Sequence, residues 1–376
     1  MSGTSLDGVD AVLCRVDAEH CEVLQSHTHF FPETLKARVL TAIDAQTTLQ
    51  EIGTLDHLLG ILFADAVKAL LEKSGMDAEN IEAIGSHGQT LWHEPAGETP
   101  FSMQFGDPNI IAAQTGIPVV ADFRRKDMAF GGSGAPFAPA FHKFLLGEQT
   151  KGVCVVNIGG IANITVLGER LIGYDTGPGN MLMDLWIAKH KGFPYDEDGN
   201  WAREGSVDYT LLEAMMADAY FAKPYPKSTG REKFNEAWLE SVQRLALSAQ
   251  KKKSKTEALH SNANNNSSFL IPHSSFKPVD VQRTLLELTA LTISNEVLKF
   301  NPDMLLLCGG GARNRFLVER ITTLMPNVQA GVMEQADNLE AMMMAWLAYK
   351  RIHNEPVGLK DVTGAQDNTI LGGVYR

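Results

Sequence analysis

Apolar and polar positions alternate over Val9–Val16 and again over Cys21–His29, which predicts two strands joined by a short polar turn. Apolar residues at Ile52, Leu55, Leu58, Leu59, Leu62 and Phe63 then recur at three- and four-residue intervals, the stripe of one helix face within Leu49–Ser74. A short strand is expected over Ile81–Ser86, running into the polar turn Ser86–Thr90. Asp107-Pro108 ahead of an apolar pair signals an N-cap followed by a first-turn proline, with Gly116 closing that helix. Ile117–Phe123 reads as a buried strand, which Arg124 and Arg125 close. The same grammar restarts with strands at Val153–Asn157, Asn163–Leu167 and Leu171–Tyr174, and a helix over Asn180–His190. A late apolar run, Leu305–Cys308, leads through glycines into another helical stretch.

Strands alternating with helices predict an α/β fold. At 376 residues the chain exceeds one ordinary core. The doubled strand–turn–strand opening points to two related halves. The first is expected over residues 1–125, with a C-terminal helix of 339–376 packing back onto it, and the second over 126–338. Lys251–Ser275 breaks the pattern: a basic run followed by Asn/Ser low complexity, without periodicity, is expected to be a mobile surface insertion.

Composition narrows the class. With 44% hydrophobic and 21% charged residues the chain reads as a soluble globular protein. A net charge of -12 argues against a nucleic-acid or anionic-membrane surface, which needs clustered Lys and Arg. One nucleotide can still bind, because a phosphate needs only local donors. Cys14, Cys21, Cys154 and Cys308 show no CxxC spacing, so neither a zinc knuckle nor a redox pair is indicated, and Cys154 and Cys308 read as small buried hydrophobes. No signal peptide and no membrane-spanning apolar run are evident, which makes a cytoplasmic location the expectation.

The candidate chemistry lies in three glycine-rich turns, each fed by a strand, whose backbone N–H groups could hold phosphates. In the first, Gly3, Thr4, Ser5 and Gly8 offer donors while Asp7 and Asp10 bring carboxylates. Carboxylates beside a phosphate repel it unless a cation intervenes, so Mg²⁺ held through Asp7 or Asp10 is the functional reading, and a plain β-turn the structural one. The second turn repeats the arrangement with Gly159, Gly160 and Asn163. Just beyond it, Asp175 ends an apolar strand ahead of Thr176–Gly179. A strand-end carboxylate facing a crevice is where an α/β enzyme places a base, although the same residue could merely cap the loop. The third turn, Gly309–Asn314, imitates a dinucleotide fingerprint but lacks the acidic residue that a ribose would need at the end of the next strand, before Glu334. No Walker-type GxxxxGK[ST] occurs. The late glycines fit better as the surface under an adenosine. His87 and His93 flank a Gly-Gln-Thr turn without partners for a metal, so substrate hydrogen bonding or a structural role is expected. Arg124 or Arg125 could fork onto an anionic substrate group. The mixture in Pro226–Asn235 is that of a binding loop whose role spacing does not reveal.

Phosphate turn, second phosphate turn and late adenosine glycines, in that order, resemble the actin/hexokinase/Hsp70 superfamily. Within it MSGTSLDGVD, SHGQT, ADFRR with GGSGAP, NIGGIANIT, DTGPGN, PKSTGRE, CGGGARN and LEAMMMAWLA resemble the bacterial anhydro-N-acetylmuramic acid kinases over almost the whole chain. The resemblance implies two actin-like (ribonuclease H-like) α/β domains around a central ATP cleft. It also implies a homodimer that uses ATP, Mg²⁺ and water to open 1,6-anhydro-N-acetylmuramic acid and phosphorylate its 6-oxygen, in cell-wall recycling. On that basis Gly3, Thr4, Ser5, Leu6, Asp7, Gly8, Val9 and Asp10 form the ATP-phosphate loop and Asp175 is the catalytic carboxylate. Gly309, Gly310, Gly311 and Asn314 lie on the adenosine side. Glu340 stands near the sugar, and the lactyl carboxylate of that sugar gives Arg124 or Arg125 its anion; His87 is a further substrate-binding candidate. The family has a strand ahead of the motif that here starts at Met1; without it the first sheet is expected to lose a central member, with ATP affinity affected. A kinase of a simple sugar hydroxyl and an ATP-switched binding protein are the alternatives, which sugar-dependent ATP consumption would separate.

Overall fold

The computed structural model describes the chain except for Thr4, Ser5, Asp7, Ala45, residues 148–151 and residues 261–275; of residues 252–260 only the backbone is described. Numbered along the chain, the strands are β1 (Gly8–Val16), β2 (Cys21–Phe30), β3 (Ile84–Gly85), β4 (Gln89–Glu94), β5 (Phe101–Phe105) and β6 (Val119–Ala121). They continue with β7 (Val153–Ile158), β8 (Ile161–Leu167), β9 (Ile172–Pro178), β10 (Met304–Cys308), β11 (Gln329–Val332) and β12 (Gly373–Tyr375). The chain divides into two compact units, one of Met1–Lys151, Glu169–Ile172 and Asp337–Arg376, the other of Gly152–Gly168 and Gly173–Ala336.

In the first unit the predicted helix spans Leu49–Ser74. Thr48 caps it by accepting the Glu51 N–H, and Gly75 ends it in the left-handed conformation at φ 65°. Its apolar stripe buries Leu55, Leu59, Leu62 and Phe63, each contributing roughly 1.5–3 kcal/mol by removal from water. The Pro108–Thr115 helix starts at Asp107, whose side chain accepts the Asn109 N–H, and closes at Gly116. These two helices pack so closely that a Cβ on Gly60 would lie 3.1 Å from the Asp107 carbonyl oxygen.

The first unit's sheet is interrupted. β1 and β2 form an antiparallel hairpin, while β3, β6 and β12 form a separate sheet in which β3 runs parallel to β6. Between β1 and β3 lies a cavity of about 560 Å³, lined by Val9, Ala11, Leu13, Ile84, Ala66 and Leu70 among others. The Leu339–Ile352 helix covers both half-sheets. At β3 its approach needs a glycine, since a Cβ on Gly85 would stand 2.0 Å from the Met344 carbonyl oxygen.

The second unit holds one five-stranded sheet in the order β11-β10-β7-β8-β9. β10 is parallel to both β7 and β11, and β8 is antiparallel to β7, the pattern expected of a ribonuclease H-like sheet. The Pro278–Leu298 helix, apolar at Val281, Leu285, Leu288, Ile293 and Val297, lies buried beside it.

Three expectations are corrected. β9 runs to Pro178, so Asp175 sits within the strand and not at its end. Arg124 and Arg125 open a short helix, Arg124–Ala129, instead of closing a strand. The insertion expected from Lys251 onwards begins as helix, for Glu236–His260 continues through it. Lys, Glu, Ala and Leu are good helix formers, and a solvated helix end needs no apolar stripe. Residues 261–275 lie outside the described part.

Candidate active site

Both units carry candidate residues. In the first, the turn after β3 buries His87, whose Nδ1 lies 2.8 Å from the Gly88 carbonyl oxygen. A carbonyl only accepts, so Nδ1 carries the proton and Nε2 is left as an acceptor. Arg124 donates to that Nε2 from Nε at 3.1 Å and from Nη2 at 2.9 Å, and from Nη1 to the Gly134 carbonyl at 3.0 Å. Burial and the adjacent guanidinium push His87 down to about 3, which keeps it neutral. Burial also lowers Arg124 to about 10, leaving it fully charged at neutral pH.

Three of the five guanidinium N–H groups are thereby used, and each Nη keeps one, which is the fork a carboxylate accepts. No carboxylate lies within ion-pair reach of Arg124 among the described residues. Glu340, at the start of the 339–352 helix, is open to solvent and lies within electrostatic reach of Asp10 and Arg124. Asp10, on β1, accepts the Thr28 hydroxyl at 2.8 Å through Oδ1. Leu6 and Val9 are core residues. Thr4, Ser5 and Asp7 fall outside the described residues, and Gly3 and Gly8 flank them.

Arg125 stands apart. Its side chain is 65% exposed and paired with Asp122 at 2.6 Å. His93 bonds Ser102 at 2.9 Å, a partner inside its own hairpin. The loop between Arg124 and the next helix is tied by Asp127, a residue the sequence reading passed over: buried, it accepts the Gly134 N–H and the Thr363 hydroxyl at 2.8 and 2.9 Å.

In the second unit the turn between β7 and β8 faces the start of the Met181–Lys191 helix. The carbonyls of Gly159 and Gly160 accept the N–H groups of Asn180 and Gly179, both at 2.9 Å. That orientation leaves the Gly159 and Gly160 N–H groups without acceptors among the described residues, as a phosphate turn requires. Both positions are open, with only ordinary contacts where a Cβ would stand, whereas one on Gly179 would meet the Gly159 carbonyl oxygen at 2.1 Å.

The late glycines divide by role. Gly309, at φ 79°, and Gly311 let the turn after β10 lie on β7: added Cβ atoms would stand 2.2 Å from Asn157 Oδ1 and 2.3 Å from Ile158 Cγ2. Gly310 is exposed and open. Asn314 uses its side-chain oxygen to cap the Arg315–Leu324 helix at the Leu317 N–H. Asn163 faces Asn157 across the β7–β8 ladder.

Asp175 is held through one carboxylate oxygen. Its Oδ2 accepts the Ser228 hydroxyl at 2.9 Å and the Thr229 N–H at 3.0 Å, and its Oδ1 has no partner among the described residues. Burial raises the carboxyl above its usual range, opposed by those two donors. The donors come from Pro226–Asn235, the loop whose role spacing did not reveal. Its Ser-Thr pair was the available signal, but only the fold brings it to Asp175. No group of three or more His, Cys, Asp or Glu among the described residues could hold a metal, and no helix there is long and apolar enough to cross a membrane.

The sequence profile described as anhydro-N-acetylmuramic acid kinase matches residues 1–376. An anhydro-N-acetylmuramic acid kinase of Sulfurovum sp. (strain NBC37-1) is 61% identical over 375 residues, covering 100% of this chain and 97% of that one. The protein of the same name from Vibrio cholerae is 50% identical over 385 residues, covering 100% and 96%. Among solved structures, a ROK family glucokinase from Streptomyces griseus in complex with glucose and AMPPNP covers 91% of this chain and 100% of its own, at 13% identity and a TM-score of 0.38.

Proposed function

The chain belongs to the anhydro-N-acetylmuramic acid kinase family, and from that premise we propose that it opens 1,6-anhydro-N-acetylmuramic acid with water and phosphorylates the 6-oxygen from ATP. N-Acetylmuramate 6-phosphate and ADP are the products. The observation that carries this reading is the asymmetric hold on Asp175, one oxygen fixed by two donors and the other without a partner among the described residues, on a carboxyl that burial makes more basic.

Such a group suits general-base work. Oδ1 takes a proton from the water that attacks the anomeric carbon, the bond from that carbon to the 6-oxygen breaks, and the γ-phosphoryl captures the departing oxygen. Phosphoryl capture replaces the general acid of an ordinary glycosidase, so one carboxylate suffices.

The remaining roles follow from the chemistry of each group. The Gly159 and Gly160 N–H groups are suited to ATP phosphate, and the open face at Gly310 to the adenosine; in the other unit the Gly3–Asp10 segment has the composition of a phosphate loop. The two remaining Nη protons of Arg124 suit the lactyl carboxylate, and neutral His87 holds that guanidinium in orientation. Glu340 suits a sugar hydroxyl. Mg²⁺ is commonly held by one or two carboxylates plus phosphates and water, and Asp10, with one oxygen on Thr28, fits as such a ligand; when bound, the ion would offset phosphate charge. ATP as co-substrate supports a cytoplasmic setting.

Asp175→Asn tests the proposal. The variant should fold and bind ATP as the parent does, yet lose on the order of a hundredfold or more in turnover, the usual share of a positioned base. Near-normal turnover would overturn it.

A further inference from the structure

The Asp175 carboxylate is held by a loop, and loops are ordinarily poor supports for a group that must be fixed to within a fraction of an ångström. Here the loop is nailed down from beneath. Lys227, immediately before Ser228 and Thr229, turns its side chain inward, where Nζ is 2.6 Å from Glu296 Oε1; the two side chains are 2% and 5% exposed. Glu296 belongs to the buried Pro278–Leu298 helix, and its Oε2 accepts the Tyr174 hydroxyl at 2.9 Å and an ammonium N–H of Lys299. Tyr174 precedes Asp175 on β9. The Lys227 carbonyl in turn accepts the Asp175 N–H at 3.0 Å.

These bonds close a ring: Glu296 to Tyr174, along one peptide to Asp175, across to the Lys227 backbone, and down its side chain to Glu296 again. Tyr220 adds a strut. Its hydroxyl donates to the Asp175 carbonyl at 2.7 Å, while its ring lies 4.9 Å beneath the Lys227 ammonium. The Asp175 peptide is therefore fastened at its N–H, its C=O and one carboxylate oxygen, and each fastening except the strut runs through the Lys227 loop.

We infer that the buried Lys227–Glu296 ion pair is a positioning device for the catalytic carboxylate, aiming Asp175 Oδ1 through the Ser228–Thr229 pinch; the inference rests on the reading of Asp175 as the base. Stability alone does not account for such a pair. Removing two charges from water costs several kcal/mol each, and replacing a buried pair with apolar residues is commonly neutral or stabilising. Directional bonds supply what an apolar pair cannot, a single orientation of the loop above the site. Neither side chain bonds the Asp175 carboxylate, so both act through the loop and strand that hold it.

The test is the double variant Lys227→Met/Glu296→Met, which removes both charges and leaves neither buried alone. It should melt at or above the parent's temperature and keep both substrates' KM within about threefold, while kcat falls tenfold to roughly a hundredfold, the scale of a small misplacement. The acid limb of kcat/KM should also move to higher pH, because a loosened pinch withdraws the two donors that favour the ionised Asp175. Should that variant not fold, Lys227→Met alone leaves Glu296 with Tyr174 and Lys299 and serves the same readouts. Parental kcat with an unmoved acid limb overturns the inference. Asp175→Asn, run in parallel, separates the two claims: if it is inactive while the double variant is intact, only the positioning role falls, and if it keeps its turnover both fall.

Discussion

Arg124 and Arg125 are adjacent and chemically identical in sequence, yet their surroundings predict opposite consequences for substrate binding. Arg124 retains one N–H on each Nη after its bonds to His87 and Gly134, and it has no carboxylate within ion-pair reach among the described residues. Arg125 is 65% exposed and already paired with Asp122. A charge-assisted hydrogen bond contributes about 1.5–3 kcal/mol, and 1.4 kcal/mol is a factor of ten, so loss of the fork should raise the sugar KM between about tenfold and a hundredfold. Arg124→Lys is the informative change, because it keeps a cation while removing the planar fork; Arg124→Ala adds the cost of leaving His87 Nε2 without its donors. Arg125→Ala should shift the same KM by less than about threefold, since an exposed pair contributes little. The assay is ADP release at saturating ATP with the sugar varied, alongside a melting curve for each variant and the KM for ATP, which should not move. A larger effect at Arg125 than at Arg124, or equal effects, would refute the reasoning.

Two further outcomes follow from the geometry. Gly85→Ala should destabilise the fold by roughly 1–3 kcal/mol in denaturant unfolding, because its Cβ would meet the Met344 carbonyl oxygen at 2.0 Å and force a backbone shift; Gly53→Ala, in open space on a helix, should instead add up to about 1 kcal/mol. The acid limb of kcat/KM should lie above the usual Asp value near 3.9, because burial raises Asp175 and the base works only when ionised: activity is lost as pH falls through that raised value, and a limb at or below the ordinary value would contradict it.

Much of the fold was legible because local rules and tertiary packing agree. The Leu49–Ser74 helix emerges from its periodicity with the bounds the structure has, and Asp107-Pro108 with Gly116 delimits the helix that follows, whereas the C-terminal helix expected over 339–376 ends at Ile352, ahead of a short helix at Lys360–Thr363 and a strand at Gly373–Tyr375. β9 was cut short because Thr176-Gly177-Pro178 carries turn chemistry, whereas the neighbouring strand and the Thr289 hydroxyl, which donates to the Pro178 carbonyl, hold it extended. The solvated end of the Glu236–His260 helix lacked the one signal sought there, an apolar stripe. Within the candidate site, residue types singled out Asp175 and the arginine pair as candidates, but not which arginine keeps unpaired N–H groups or what holds the carboxylate. Those answers depend on His87, Ser228, Thr229 and Glu296, between 37 and 121 positions away, and no spacing rule reaches across such distances.

The central claim, that Asp175 directs water to the anomeric carbon while phosphate captures the 6-oxygen, is tested most directly by running one turnover in heavy-oxygen water and locating the label by mass spectrometry. The label should enter the anomeric hydroxyl of the sugar phosphate and be absent from the phosphate group. Label in the phosphate would contradict the mechanism, since it would place water's attack at phosphorus and leave Asp175 without its proposed work.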